Sequence, residues 1–474
     1  MFEPIRFILN DREVTTTLPP GTVMLDFLRK HQRLVGTKIG CREGDCGACT
    51  VLVGELEDGV MRYQSMTSCI MPVANAHGKH IVSIEGLNVK DLTPYQQAMV
   101  DEAGTQCGFC TVGFIVSFAG YCLAEGKATQ EDAVAAVDGN ICRCTGYKSI
   151  ERAAAKVVDL LQERPTQTDA VLPWLAEHDF LPAYFPGIPA RLAALQDGLN
   201  TLKTENDTVV VGGGTDLFVQ RPEAMAAQRK LTLVFDRSHK EQIYQDGGKV
   251  IIRSSATAED MRSSALMQRL FPQIRTYMKL VSSTPIRNMG TVVGNLVNAS
   301  PIGDLTCFLL ANDAEVVLQS DAGPRVVPLR SFYKGYKTLD REPGEVVGEV
   351  RFEAPRGKVW FNFEKVSKRT HLDIASVNSA IRMEFDGDTV TRAFCSAGGV
   401  GPTPLFLDKV TALLTGKALS AELVAQAADA AAAQATPISD ARGEARYKRL
   451  LLRQLIFAHF QVLAPGLVDM EVAR

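Results

Sequence analysis

Cysteine placement constrains this chain more than any other feature. Eleven cysteines are present; nine lie within the first 144 residues, and only Cys307 and Cys395 fall in the rest of the 474. The chain therefore divides into a sulfur-rich head and an ordinary globular remainder. Disulfide frameworks belong to secreted chains, yet the start Met1-Phe2-Glu3-Pro4-Ile5-Arg6 lacks the basic residues and apolar core of a secretory leader. A metal-binding head in a cytoplasmic protein is the expectation.

The first thiol group is Cys41, Cys46, Cys49 and Cys69, spaced C-x4-C-x2-C with a fourth cysteine after nineteen intervening residues. Three thiolates on one tight loop and a fourth from elsewhere can hold both irons of a [2Fe–2S] cluster, and this is the plant-type ferredoxin spacing. Gly40, Gly44 and Gly47 punctuate the loop. Glycines accept positive φ and let backbone N–H groups approach the sulfurs. A structural zinc is the alternative, although zinc sites favour paired C-x2-C knuckles.

The second group is Cys107-Gly108-Phe109-Cys110 with Cys142-Arg143-Cys144. Thr93-Pro94-Tyr95-Gln96 has the form of a capping box with proline at the first helical position, so a helix is expected to run to about Gly104. Two more helices are expected after Cys110 and over Ala128 to Val137. A fourth should run from Ser149 to about Gln162, with Ile150, Ala154, Val157, Val158 and Leu161 on its inner face. The two cysteine pairs then lie at helix starts or in the loops before them. Cys122, Cys307 and Cys395 are expected to be small buried residues rather than ligands.

Cys107 to Ala124 is uncharged over 18 residues, the lower limit for a membrane span. Its three glycines, its Ser and Thr and its three cysteines fit a buried helix of a soluble core better. A net charge of -3 gives no electrostatic reason to expect nucleic acid or an anionic membrane as partner.

The order of a ferredoxin-type loop followed by Gln106-Cys107-Gly108-Phe109-Cys110-Thr111 and Ile141-Cys142-Arg143-Cys144-Thr145-Gly146-Tyr147 resembles the iron–sulfur region of the xanthine oxidoreductase family of molybdenum hydroxylases. Val112 stands where that family usually has proline, and it touches no ligand. The resemblance implies a β-grasp domain for the first cluster and a four-helix domain for the second. The alternating strands Arg6 to Leu9 and Val14 to Thr17, and a short amphipathic helix at Met24 to Arg29, support the β-grasp independently.

Pro165, Pro173, Pro182, Pro186 and Pro189 mark residues 165 to 190 as a linker, expected to be extended. The strand Thr208-Val209-Val210-Val211 then runs into Gly212-Gly213-Gly214-Thr215-Asp216-Leu217, a loop able to present amides to a phosphate but equally readable as a plain strand-turn. Further on, Ile286-Arg287-Asn288, Gly290-Thr291-Val292-Val293-Gly294-Asn295-Leu296 and Ala299-Ser300-Pro301-Ile302-Gly303-Asp304 are similar to the FAD domain of the same family. The resemblance implies that the backbone of Val211, Gly212, Gly213, Gly214, Thr215, Asp216 and Leu217 holds the FAD pyrophosphate. It implies that Thr291, Asn295 and Asp304 bind phosphate, adenine or ribose groups, and that Ser300 lines the cofactor; Asp304 could accept ribose hydroxyls.

Phe363-Glu364-Lys365-Val366-Ser367-Lys368-Arg369-Thr370-His371-Leu372-Asp373-Ile374-Ala375 resembles the family's strand and loop beside the flavin. Lys365 and Arg369 are flavin-edge candidates that would support reduced flavin or attract an anionic dinucleotide, with a solvated basic edge as the alternative. From Leu405 the composition turns helical, with Ala421 to Ala435 and Ala441 to Phe460 as helices. Tyr447, Leu450, Leu451, Gln454, Leu455 and Ala458 share the face expected to pack on strands.

The expected fold class is therefore α+β multidomain. It comprises a [2Fe–2S] β-grasp domain over 1–88, a helical [2Fe–2S] domain over 89–164, the linker over 165–190, an α+β FAD-binding domain over 191–404 and a small α/β C-terminal domain over 405–474. No arrangement for hydrolytic or nucleophilic catalysis is evident, and no catalytic residue of the chain's own is expected. The family's substrate site sits in a far larger molybdopterin domain, which this chain does not contain. The resemblance thus implies a molybdopterin-binding large subunit as partner and a pair of such heterodimers. It implies oxidation of hypoxanthine and xanthine to urate, with electrons passing through the Cys107/Cys110/Cys142/Cys144 cluster, the Cys41/Cys46/Cys49/Cys69 cluster and FAD to NAD. Oxygen as acceptor, an aldehyde or N-heterocycle as substrate, and a stand-alone ferredoxin–flavin reductase remain as alternatives.

Overall fold

The computed structural model describes residues 4–197, 208–235 and 241–468. Met1 to Glu3 of the start and the last six residues of the C-terminal segment read above lie outside the described residues. Two compact units divide the chain: residues 1–240 with 283–290, and residues 241–282 with 291–474.

The first unit begins with a five-stranded mixed sheet. Its order is Arg12–Thr16, Ile5–Leu9, His80–Val82, Thr50–Glu57 and Val60–Thr67. Ile5–Leu9 pairs with its neighbour His80–Val82 in parallel, and the other pairings are antiparallel. Phe7, Phe27, Val51 and Ile81 close the core beneath it, alongside the buried Cys49 and Cys69. The helical part follows. Thr93 caps Pro94–Asp101 through a complete capping box with Gln96, because Thr93 Oγ1 and Gln96 Oε1 satisfy amides that the first turn leaves unpaired. This helix ends at Asp101, short of Gly104. Thr111–Leu123, Gln130–Ala136 and Lys148–Leu160 complete the set. Ile150, Ala154, Val157, Val158 and Leu161 are all buried, as the spacing requires. The uncharged stretch after Cys107 folds as a helix of 13 residues. Among the described residues no helix is long and apolar enough to cross a membrane.

The segment expected to be extended is folded. Thr168–Glu177 and Ile188–Asp197 are helices, and Leu175, Phe180, Leu181 and Phe185 between and within them are buried. Phe185 packs against Tyr63 and His80, and Phe180 against Tyr95. Proline density misled here because Pro173 sits within the first helix and Pro189 in the opening turn of the second. The apolar residues between them gain more by covering the cysteine-rich part than a solvated chain would.

The second unit holds two larger sheets besides the two-stranded pair Tyr333–Gly335 with Thr338–Leu339. One has the order Gly323–Pro328, Glu315–Ser320, Val346–Glu353, Lys249–Arg253 and Ile243–Asp246. The other is an antiparallel run of Lys358–Val366, Val377–Asp386, Thr389–Gly398 and Leu405–Phe406, sharing an apolar core with the helices Asp408–Leu414, Ala421–Gln434 and Ala445–Leu463. The last helix buries Leu455 of the expected face and packs Leu451 partly against the core, but its inner face is rotated from the one expected. Tyr447 and Leu450 are 47% and 50% exposed, whereas Lys448, Leu452, Leu455, Ile456, His459 and Phe460 are buried. Two polar residues belong to the inner face because each has a partner there. Lys448 Nζ meets Asp440 and the Ile438 carbonyl, and His459 Nδ1 meets Asn362 Nδ2 at 3.0 Å. An apolar tally passes over such residues.

His80 offers a test of the first sheet. Its Nε2 faces the Asn10 carbonyl at 2.8 Å and its Nδ1 the Tyr63 hydroxyl at 2.7 Å, and burial pulls its pKa down to about 4. The unfolded chain therefore binds a proton that the folded one refuses between about pH 6.5 and pH 4. The stability held by neutral His80 is complete above that window and is lost as pH falls through it, by about 2 kcal/mol at pH 5. Denaturant midpoints at pH 7 and pH 5 should show this loss, and His80→Gln should lessen it.

Candidate electron-transfer sites

The first thiol group is assembled by a loop that cannot be built from ordinary backbone. Arg42, Gly44 and Gly47 all take positive φ, at 60°, 83° and 68°. The turn brings amides onto sulfur: Cys46 N and Glu43 N donate to Cys41 Sγ at 3.4 and 3.3 Å, and Cys41 N donates to Cys46 Sγ at 3.4 Å. A side chain at Gly40 would lie 2.5 Å from Cys46 Sγ. Cys69 arrives from the turn Ser68–Ile70 after the last strand of the sheet. The thiols touch in sequence: Cys46 with Cys41, Cys41 with Cys69, and Cys69 with Cys49. Bonds from Cys46 and Cys69 hold the Cys41 thiol far below the usual range. Cys41, with burial behind it, pushes Cys46 up. Such mutual dependence marks sulfurs packed too closely to ionise together without a cation among them, and the thiolate is the metal-binding form.

The second group joins two helix-bounded loops. Cys110 is the residue before Thr111–Leu123, and Cys142 and Cys144 precede Lys148–Leu160. Cys144 Sγ lies 3.4 Å from Cys107 Sγ, and Cys110 contacts Cys142. Burial first and then Cys142 push Cys110 up to about 12. At Cys142 burial works upward, but the Thr145 hydroxyl at 3.1 Å and the Thr145 amide outweigh it and lower the pKa. Among the described residues no three His, Cys, Asp or Glu side chains converge as ligands of a single ion would. Cys41 meets Cys46 and Cys69, Cys69 also meets Cys49, Cys107 meets Cys144 and Cys110 meets Cys142, so the thiols gather in two groups of four. The structure brings these eight cysteines together four by four, and Cys122, Cys307 and Cys395 lie apart, fully buried.

The flavin candidates fall in both units. In the first, Val209–Val211 ends in the Gly212–Gly214 turn. Gly214 has φ +81°, and a side chain at Gly213 would strike the Met289 carbonyl. The glycines are therefore required by the backbone, and Leu217–Gln220 follows as a short helix. In the second unit Thr291 caps Val292–Asn298 by accepting from Gly294 N at 2.9 Å. Asn295 Oδ1 accepts from the amide and hydroxyl of Thr306, and Ser300 Oγ accepts from Ile302 N. Asp304 opens the helix Asp304–Leu310.

Lys365 is more deeply held than an edge residue. Its side chain is 1% exposed and donates to Asp304 Oδ2 at 2.8 Å and to the Leu280 carbonyl at 2.6 Å. Asn378 Nδ2 donates to the other oxygen, Asp304 Oδ1, at 2.6 Å. Arg369 is exposed and bonds only locally, to Asp373 and the Leu372 carbonyl. Asn378 was missed in the sequence. The strand Val377–Asp386 also carries Ser379, Arg382 and Glu384, so no local pattern singles it out.

Sheet, helices and two thiol sets define the class as an iron–sulfur flavoprotein. Family models agree in chain order: a 2Fe-2S iron-sulfur cluster binding domain matches residues 7–74, a [2Fe-2S] binding domain 83–155, the FAD binding domain in molybdopterin dehydrogenase 188–355 and the CO dehydrogenase flavoprotein C-terminal domain 363–463. The chain belongs to the xanthine oxidoreductase family of molybdenum hydroxylases and carries its iron–sulfur and flavin domains. It is 26% identical to a xanthine dehydrogenase of Emericella nidulans over 88% of this chain and 35% of that protein. It is 25% identical to aldehyde oxidase 1 of Bos taurus over 99% of this chain and 40% of that protein. A solved carbon monoxide dehydrogenase of Hydrogenophaga pseudoflava is 30% identical, covering 56% of this chain and 90% of its own, with a TM-score of 0.48. The chain thus spans well under half the length of the curated relatives it matches.

Four substitutions probe the sites. Cys46→Ala should remove iron and the absorbance of one cluster while leaving the other, and Cys122→Ala should leave both; iron analysis and visible spectra read this. Lys365→Met leaves the Asp304 carboxylate without its cation, at a cost of about 3 kcal/mol. FAD content should fall with iron unchanged, and adding Asp304→Asn should restore stability but not FAD.

Proposed function

We propose that this chain is the electron-transfer subunit of a molybdenum hydroxylase that oxidises hypoxanthine and xanthine to urate with NAD as acceptor. The observation that carries the reading is the contrast between the two thiol sets. Cys49 and Cys69 are buried, whereas in the second set only Cys142 is, and Cys107 and Cys144 are exposed together with their sequence neighbours Phe109, Ile141 and Tyr147. Apolar side chains around an open thiol group suit a protein partner. A large molybdopterin-binding subunit docking there would deliver electrons to the outer cluster, from which they pass to the inner one and on to FAD.

When bound, the clusters and flavin supply one-electron transfer and its conversion into hydride delivery. The chain's own residues do the rest. The eight thiolates Cys41, Cys46, Cys49, Cys69, Cys107, Cys110, Cys142 and Cys144 hold the irons, and the loop amides stabilise the sulfurs. The backbone of Val211 to Leu217 holds the pyrophosphate, Thr291, Asn295 and Ser300 line the cofactor, and Asp304 accepts from its hydroxyls. Lys365 and Asn378 fix the Asp304 carboxylate from behind. A heterotetramer of two heterodimers in the cytoplasm completes the proposal.

A second reading, the same subunit serving an aldehyde or N-heterocycle hydroxylase, draws support from the near-equal identity to aldehyde oxidase and xanthine dehydrogenase. The deciding experiment is anaerobic addition of xanthine to the natively purified complex while flavin and iron–sulfur absorbance are followed. Bleaching by xanthine, with recovery on adding NAD, is the expected result. Bleaching by an aldehyde alone would transfer the assignment to the second reading. Bleaching by NADH in a chain that purifies without molybdenum would support a stand-alone reductase.

A further inference from the structure

The two thiol loops meet through their backbones, and one buried side chain spans the meeting. Ile141 N donates to the Cys46 carbonyl at 3.0 Å, so a ligand of the first set is hydrogen-bonded to the residue beside Cys142, a ligand of the second. Asn140, buried, lies across this bond. Its Nδ2 donates to the Gly47 carbonyl at 3.2 Å, and its Oδ1 accepts from Ser117 Oγ at 2.8 Å. Ser117 is on the buried face of Thr111–Leu123, the helix that starts after Cys110. The junction has no spare volume. A side chain at Gly47 would lie 2.3 Å from the Gly139 carbonyl, and one at Gly113 would lie 2.2 Å from the Gly47 carbonyl. On the outer side, Asp138 Oδ1 accepts from Thr284 N at 2.6 Å and Oδ2 from Arg287 at 3.0 Å, which keeps the Asp138–Asn140 turn from drifting away.

We propose that Asn140 is a positioning residue that holds the two cluster loops in register and thereby sets electronic communication between the clusters; this rests on the two-cluster reading above. An amide suits the role because it donates to one loop and accepts from the helix of the other in a single rigid plane, with little rotamer freedom left once both bonds form. Without it the Cys46–Ile141 hydrogen bond, a direct polar link between the two loops, loses its lateral support, and the Gly47 carbonyl and Ser117 hydroxyl lose a buried partner each.

The test uses the holoenzyme reduced fully with dithionite, so that no substrate or acceptor is needed. In Asn140→Ala and Ser117→Ala, iron content and the separate low-temperature spectra of both clusters should be retained. The spin–spin splitting between the two reduced clusters should diminish, and in separate oxidised samples, where a flash-excited photosensitiser donates one electron, inter-cluster transfer should slow several-fold, with Ser117→Ala showing the smaller change in the same direction. Splitting and rate equal to those of the unmodified enzyme in either variant that keeps its iron would overturn the proposal. Loss of iron from both variants would also overturn it, by making the bridge a folding element rather than a positioning one. An unmodified protein without two distinct cluster signals would instead overturn the two-cluster reading and take this proposal with it.

Discussion

Three sulfurs from one nine-residue loop must face a common point, and the rest of the head is arranged around that demand. L-residues avoid positive φ at a cost on the order of 1 kcal/mol each, yet the loop requires it at Arg42 as well as at Gly44 and Gly47. The free chain has little to offset this strain beyond a few amide–sulfur bonds, whereas metal ligation supplies many kcal/mol and couples directly to folding. The flanking sheet supplies the missing rigidity. Thr50–Glu57 leaves the loop directly, and Val60–Thr67 returns the chain to Cys69, with Thr50 paired to Thr67. The second set solves the same problem with helices, using positive φ at Gly108, Gly146 and Tyr147 to turn each loop into or away from a helix start.

These demands explain why some features could be read from the sequence and others could not. Ligand spacing is written in covalent units, so Cys41, Cys46 and Cys49 stand out unaided, as does the Thr93–Gln96 capping box, a purely local device. Pairing between sets depends on where distant loops meet, and no spacing reports that Cys110 approaches Cys142 while Cys107 approaches Cys144. Asn140 was passed over for the same reason: its partners, Gly47 and Ser117, are 93 and 23 residues away.

Buried polar residues account for the larger misreadings. The final helix turns Lys448 and His459 inward because Asp440 and Asn362 wait for them, and Lys365 is held in the interior by Asp304. In each case a tertiary partner offsets the desolvation that an isolated polar side chain would suffer. The proline-rich stretch between 165 and 190 errs the other way. Its prolines were counted as breakers, although position within the helix and the apolar partners of Phe180 and Phe185 decided the outcome.

The contrast between an enclosed and an open sulfur site has an electrostatic consequence. A thiolate-ligated cluster gains negative charge on reduction, and removing water penalises that charge. At Cys107 and Cys144 solvent, or a docked partner, can share the stabilisation. At the Cys49/Cys69 side no water can, so the Cys69 amide and the Ser68 side chain on Cys49 must do it, while on the half-buried Cys41 and Cys46 the amides of Glu43, Cys46, Cys41 and Ala48 add to what solvent supplies. Amide–sulfur bonds are one of the levers by which proteins set cluster potentials. The strained loop therefore serves two ends through one geometry: positive φ turns the sulfurs inward and, in the same turn, aims the amides that make reduction tolerable where water is excluded.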